Sequence, residues 1–264
     1  MMFRTEPFGY DDLLVCLAAL RRYAAMEPLA YLIDLVGYAI VDRDLKEMVN
    51  YLVRRKRVAR KGRGATGSLE LLAVTSSDDI VESKMRRSSA KWDGSWNFLT
   101  YDIPVSHNLI RRRLVRSLHD MGFAMMSAST WISPYNWADV FETMFAKWDC
   151  GGVISHIRAG RVLPLVGDHS AYPVNLWDHG DVRHRYRTIL ERCKHSLAAD
   201  GPRAERNRAQ TVLQTTKQLK QVQQLDPMLP RQLLPRDWPR DEALAAYKLL
   251  QERFTSDIAA VIGR

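Results

Sequence analysis

Between Arg54 and Arg63 the chain places Arg54, Arg55, Lys56, Arg57, Arg60, Lys61 and Arg63 with no acidic residue among them. The chemistry open to such a run is neutralisation of phosphates on a polyanion. Just upstream, Arg43, Lys46, Asn50 and Arg54 fall on one face at helical spacing. Arg, Lys and Asn are side chains that hydrogen-bond base edges in the major groove. The expected DNA-contacting set is therefore Arg43, Lys46, Asn50, Arg54, Arg55, Arg57, Arg60, Lys61 and Arg63. A solvated surface is the plainer meaning of most charge runs, so the position of this one matters. It straddles the end of an expected helix and the base of an expected hairpin, where phosphate contacts belong.

Catalytic constellations are missing from the sequence. There is no Gly-x-Ser-x-Gly elbow, no His-Glu-x-x-His pair and no glycine loop suited to phosphates. The seven histidines are dispersed, although His179 and His184 lie close to Asp178 and Asp181. Solvent-facing polar residues account for them better than a metal site does, and neither a metal nor a cofactor is expected. Cys16, Cys150 and Cys193 are odd in number, far apart and free of Cys-x-x-Cys spacing, which predicts small buried or half-buried side chains and no disulfide framework. The seven tryptophans read as core and interface anchors. Arg183, Arg185, Arg187 and Arg192 form a further cationic cluster able to meet a ligand's phosphates.

The elements that must position the basic run follow from periodicity. Asp11-Asp12 opens a helix carrying Leu13, Leu14, Leu17 and Leu20, and Pro28 opens a second with Leu29, Leu32, Ile33 and Val36. Asp42 caps a third, from Arg43 to about Lys56, with Leu45, Met48, Val49 and Leu52 on its apolar side. A short strand at Val58, a glycine-rich turn over 62–67 and an apolar run over 69–74 predict a hairpin. Three helices followed by a hairpin is the winged helix-turn-helix order, with the third helix in the major groove.

Beyond a polar stretch over 76–91, open to a short helix at its start but read mainly as a linker, the rhythm changes. Strand, helix, strand, strand, helix, strand over 92–168 predicts a ferredoxin-like α/β sandwich. From 169 onward the pattern is helical, broken by a Pro-dense stretch over 226–239 that should pack as a rigid connection. The expected chain is thus an α+β multidomain protein of 264 residues with net charge +9. A winged helix DNA-binding domain covers 1–75, a linker 76–91, a ferredoxin-like middle domain 92–168 and an α-helical C-terminal domain 169–264. No run is long and apolar enough to cross a bilayer, and residues 1–10 lack a secretion signal, which predicts a cytoplasmic protein.

Trp92-Asp93-Gly94-Ser95-Trp96 and Thr100-Tyr101-Asp102-Ile103-Pro104 resemble the middle-domain signature of the PaaX-like family of phenylacetic-acid catabolon repressors. Arg111-Arg112-Arg113-Leu114, Gly122-Phe123 and Trp131-Ile132-Ser133-Pro134 continue it in order. Asp226-Pro227-Met228-Leu229-Pro230, Leu233-Leu234-Pro235 and Asp237-Trp238-Pro239 resemble its C-terminal signature. The chain departs from it in two places. Lys56 stands where the family usually has Gly, and Lys217-Gln218-Leu219-Lys220-Gln221 replaces a His-Glu-Tyr-Arg-Arg stretch. The resemblance implies a homodimeric repressor of an aromatic-degradation operon, bound to a palindromic duplex operator. It also implies release by a small-molecule effector, phenylacetyl-CoA or another aryl-CoA, at residues the sequence does not identify. A rival reading follows from the likeness of the middle domain to the small CRISPR adaptation nuclease subunit. Asp102 matches that subunit's metal-binding Asp, and two copies across a two-fold axis would hold Mg²⁺ through water.

Overall fold

The computed structural model describes Leu13 and residues 42–55, 58–61, 68–71, 76–146, 148, 151–163 and 172–262. Apart from Leu13, which is helical and fully buried, the first two expected helices lie outside the described residues. Helix α1 spans Asp42–Arg54. Strands β1 (Val58–Lys61) and β2 (Ser68–Leu71) pair antiparallel, with Arg60 opposite Leu69. Leu45, Val49 and Leu52 are buried along α1, at the i, i+4, i+7 spacing of one helix face, and Val58 and Leu69 are buried from the hairpin.

The stretch expected as a linker is instead helix α2 (Ser76–Ser89). Its polar composition hid two side chains three residues apart, on one face, that find tertiary partners. Lys84 is 1% exposed, and its ammonium donates to the carbonyl of Asp226 at 2.8 Å and to those of Gln223 and Gln224 at longer range. Burial lowers its pKa, against the opposing charges of Asp226 and Asp120. Arg87 lies over the Trp137 ring at 4.3 Å, pairs with Asp139 at 3.1 Å and donates to the carbonyl of Asn136.

Strands β3 (Trp96–Asp102), β4 (Ala124–Ser127), β5 (Thr130–Ser133) and β6 (Val153–Ala159) form one antiparallel sheet in the order β4-β5-β3-β6. Helix α3 (Asn108–Asp120) joins β3 to β4, and helix α4 (Ala138–Phe145) joins β5 to β6. This is the ferredoxin-like order expected. Alternation along β3 and β5 splits the core in two. Leu99, Tyr101 and Trp131 pack with Leu114, Leu118 and Phe141 of the helices. Trp96 and Ile132 pack on the other face with Ala124, Trp177 and Leu229.

Helix α4 starts later than the Ser133-Pro134 signal suggests. Ser133 belongs to β5 and its hydroxyl accepts from the Tyr135 amide, while the Asn136 side chain accepts from the Ala138 amide and opens the helix.

Three further helices follow: α5 (Gly180–Ala198), α6 (Pro202–Leu225) and α7 (Arg240–Ile262). Arg192 of α5 bonds Gln218 of α6, and the nearly buried Arg208 of α6 pairs with Asp257 of α7 at 2.7 Å. The described residues divide into two compact units. One gathers α1, the hairpin, Arg183–Gln221 and the described part of Pro239–Arg264. The other holds Ser76–Val182 and Val222–Trp238, so the Pro-dense connection belongs with the sheet rather than with the C-terminal helices.

That connection is packed, as expected. Asp226 turns its carboxylate onto the Met228 amide, Met228 takes φ 57°, and the Tyr135 hydroxyl donates to the Met228 carbonyl. Leu229, fully buried, then fills the sheet face.

Candidate nucleic-acid interface

The amphipathic pattern of α1 decides which side chains face solvent. With Leu45, Val49 and Leu52 turned inward, Lys46, Asn50 and Arg54 are exposed, as is Arg55 just past the helix end. Arg55 lies over the ring of Tyr51 at 5.4 Å, one turn back. Met48, expected on the apolar side, is half-buried at its margin.

The strand that follows delivers Arg60 back to the helix. An Arg60 Nη donates to Oδ1 of Asn50 at 2.8 Å, joining two expected contact residues ten positions apart. The bond uses the carboxamide oxygen of Asn50 and leaves its amide hydrogens as donors. Lys61 is the next residue of β1, paired with Ser68. Arg43 sits in the first turn of α1. Arg57 and Arg63, together with the hairpin tip over 62–67, lie outside the described residues.

Asp102, the residue of the nuclease reading, is exposed at the end of β3. It opens on a cavity of about 390 Å³ lined also by Thr100, Arg111, Ser129 and Ser155. No second carboxylate lines this cavity, and among the described residues no group of three or more His, Cys, Asp or Glu could hold a metal. A single carboxylate sharing its cavity with a guanidinium is a weak divalent-cation site. Among the described residues no helix is long and apolar enough to cross a membrane.

Of the remaining expected groups, His179 is half-buried, edge-on to Trp238 at 5.4 Å, and burial lowers its pKa. Cys193 is a buried free thiol. Two features escaped the sequence reading: the Asn50–Arg60 bond and the burial of Lys84. The first pairs groups in different elements. The second is marked in the sequence only by a lone Lys three residues before an Arg.

Comparison with known proteins bears on the whole chain. Residues 89–168 match the model of the PaaX protein central Cas2-like domain, and residues 177–261 match that of the PaaX-like protein C-terminal domain. No curated protein matches. Among solved structures, the fold is similar to that of an uncharacterized protein from Mycobacterium tuberculosis, at 19% identity and TM-score 0.61, over 94% of this chain and 95% of that one. The two matched domains, in order and together spanning most of the chain, decide its kinship: it belongs to the PaaX-like family, whose members are transcriptional regulators.

Proposed function

We propose that the chain is a DNA-binding repressor of an aromatic, phenylacetate-type degradation operon, released from its operator by an aryl-CoA thioester. The observation that carries the DNA-binding part is the Asn50–Arg60 bond, which ties the outward face of α1 to the hairpin as one polar surface. In this reading α1 is the recognition helix of a winged helix-turn-helix and β1–β2 is its wing. Asn50, with Arg43, Lys46 and Arg54, meets base edges and nearby phosphates. Arg55, Arg57, Arg60, Lys61 and Arg63 hold the flanking backbone. A homodimer would match the two-fold symmetry of a palindromic operator.

Release requires the effector to prefer the unbound arrangement. A hundredfold loss of operator affinity corresponds to about 2.7 kcal/mol of coupling. The test is a titration of the purified protein onto duplex DNA from upstream of its own and adjacent genes, with and without phenylacetyl-CoA. Binding that the thioester abolishes and free phenylacetate does not is the expected result. Saturating thioester without effect rejects the effector and leaves DNA binding intact. Absence of binding to any upstream duplex rejects the regulator reading. Cleavage of the duplex in Mg²⁺, lost in Asp102→Asn, would favour the nuclease instead.

A further inference from the structure

Helix α3 carries a dense run of positive charge. Residues 104–118 contain no acid, and Arg111, Arg112 and Arg113 crowd the first half of the helix, with Arg116 one turn on. The helix has no acidic residue in its first turn and no side-chain cap. Cations near a helix N-terminus oppose the macrodipole, and like charges at i, i+3 and i, i+4 repel. By contrast α4, α5 and α7 each begin with acids: Asp139, Asp181, and Asp241 with Glu242.

None of the four arginines forms an ion pair with another described residue. Arg112, Arg113 and Arg116 are exposed. Two of the four are nonetheless held in place by aromatic rings, Arg113 over Trp148 at 5.0 Å and Arg111 over Tyr101 at 5.8 Å. Like charges without an internal counter-ion mark the places where an anionic partner outside the chain is expected.

We infer that the exposed face of α3 is a second duplex-DNA contact, made by Arg112, Arg113 and Arg116 to the phosphate backbone. Arg112 and Arg116 are four residues apart, hence about 6 Å along the helix axis, with Arg113 on the neighbouring row. Three exposed guanidinium groups spread over more than a helical turn suit a polymer of repeated negative charge better than a single small anion. The contact would be independent of sequence and would add to the salt dependence of binding.

The inference rests on the DNA-binding reading above, and one experiment separates the two. Binding of the full-length protein to a 40-base-pair duplex would be measured by anisotropy across a series of salt concentrations. The proteins compared would be the unaltered one, Lys61→Gln, the double variant Arg112→Gln with Arg116→Gln, and the same pair changed to Lys. Removing one cation from a phosphate makes the slope of log affinity against log salt shallower by about one. The Gln pair should flatten it by about two, with a melting temperature no lower than that of the unaltered protein, because both side chains face solvent and their loss relieves the repulsion along α3. The Lys pair, which keeps the charge, should restore the slope. If the unaltered protein and the Gln pair share one slope while Lys61→Gln flattens it, the α3 contact is wrong and the regulator reading survives. If the unaltered protein binds no duplex, both fall. A change seen only with single-stranded DNA would also overturn the α3 contact.

Discussion

Asn50 and Arg60 share one hydrogen bond, and this alters what substitution at either would do. If Asn50 reads a base as proposed, Asn50→Ala should relax sequence preference while leaving the salt slope nearly unchanged. On the proposed reading Arg60→Ala should relax sequence preference and also flatten the salt slope by about one, since it removes a cation and releases the carboxamide that the bond orients. Lys61→Ala should weaken binding uniformly across sequences and flatten the salt slope by about one. Competition between specific and random duplexes at two salt concentrations separates the three outcomes. At Cys193, burial pushes the thiol from its ordinary 9.0 up to about 11, against smaller opposing effects of Thr215 and Arg192. The folded state therefore holds the proton more tightly than the unfolded state. Its contribution is fully present below pH 9 and is lost as pH rises through about 11. The stability advantage over Cys193→Ala should shrink across that window, by up to about 3 kcal/mol, as read by urea unfolding. Alkylation mapped by peptide at about pH 8 should leave Cys193 unlabelled until the protein unfolds.

At the scale of elements, the sheet unit is tied together by α2 and the Pro-dense connection. Lys84 donates to three carbonyls near the end of α6, groups that a helix terminus leaves without intrahelical partners. Lys84→Met keeps the volume and removes the donor. It should cost about 1–3 kcal/mol, seen as a lower urea midpoint. Gly122 stands at φ 84°, where a Cβ would lie 2.7 Å from the Pro227 carbonyl oxygen, and its own carbonyl accepts from the Trp177 indole. Gly122→Ala should therefore destabilise by at least about 1–3 kcal/mol and lower the melting temperature by several degrees. If Gly122→Ala melted like the unaltered protein, the close packing of the connection on the β4 end of the sheet would be wrong.

For the whole molecule, the effector reading carries a signature that does not depend on DNA. A thioester that binds the folded chain stabilises it by about 2.7 kcal/mol at a hundred times its dissociation constant. The melting temperature should then rise with phenylacetyl-CoA concentration and stay level with free phenylacetate. A flat response to both would remove this effector.

Much of the architecture was legible along the chain because it depends on neighbours in sequence. The period of Leu45, Val49 and Leu52 sets the buried side of α1 and so exposes Lys46, Asn50 and Arg54. The alternation in β3 and β5 sets two sheet faces, and the order of elements over 92–168 is enough for the ferredoxin-like topology. What the sequence could not show depends on partners far along the chain. Polar residues over 76–91 read as a linker until Lys84 meets carbonyls about 140 positions away. The helical stretch from 169 onward reads as one domain until Leu229 fills the sheet face beside Trp96. The basic run from Arg54 to Arg63 names its own chemistry, since charge without acids is a property of composition. Joining Asn50 to Arg60 needed the hairpin to fold back, because hydrogen bonding depends on distance in space rather than along the chain.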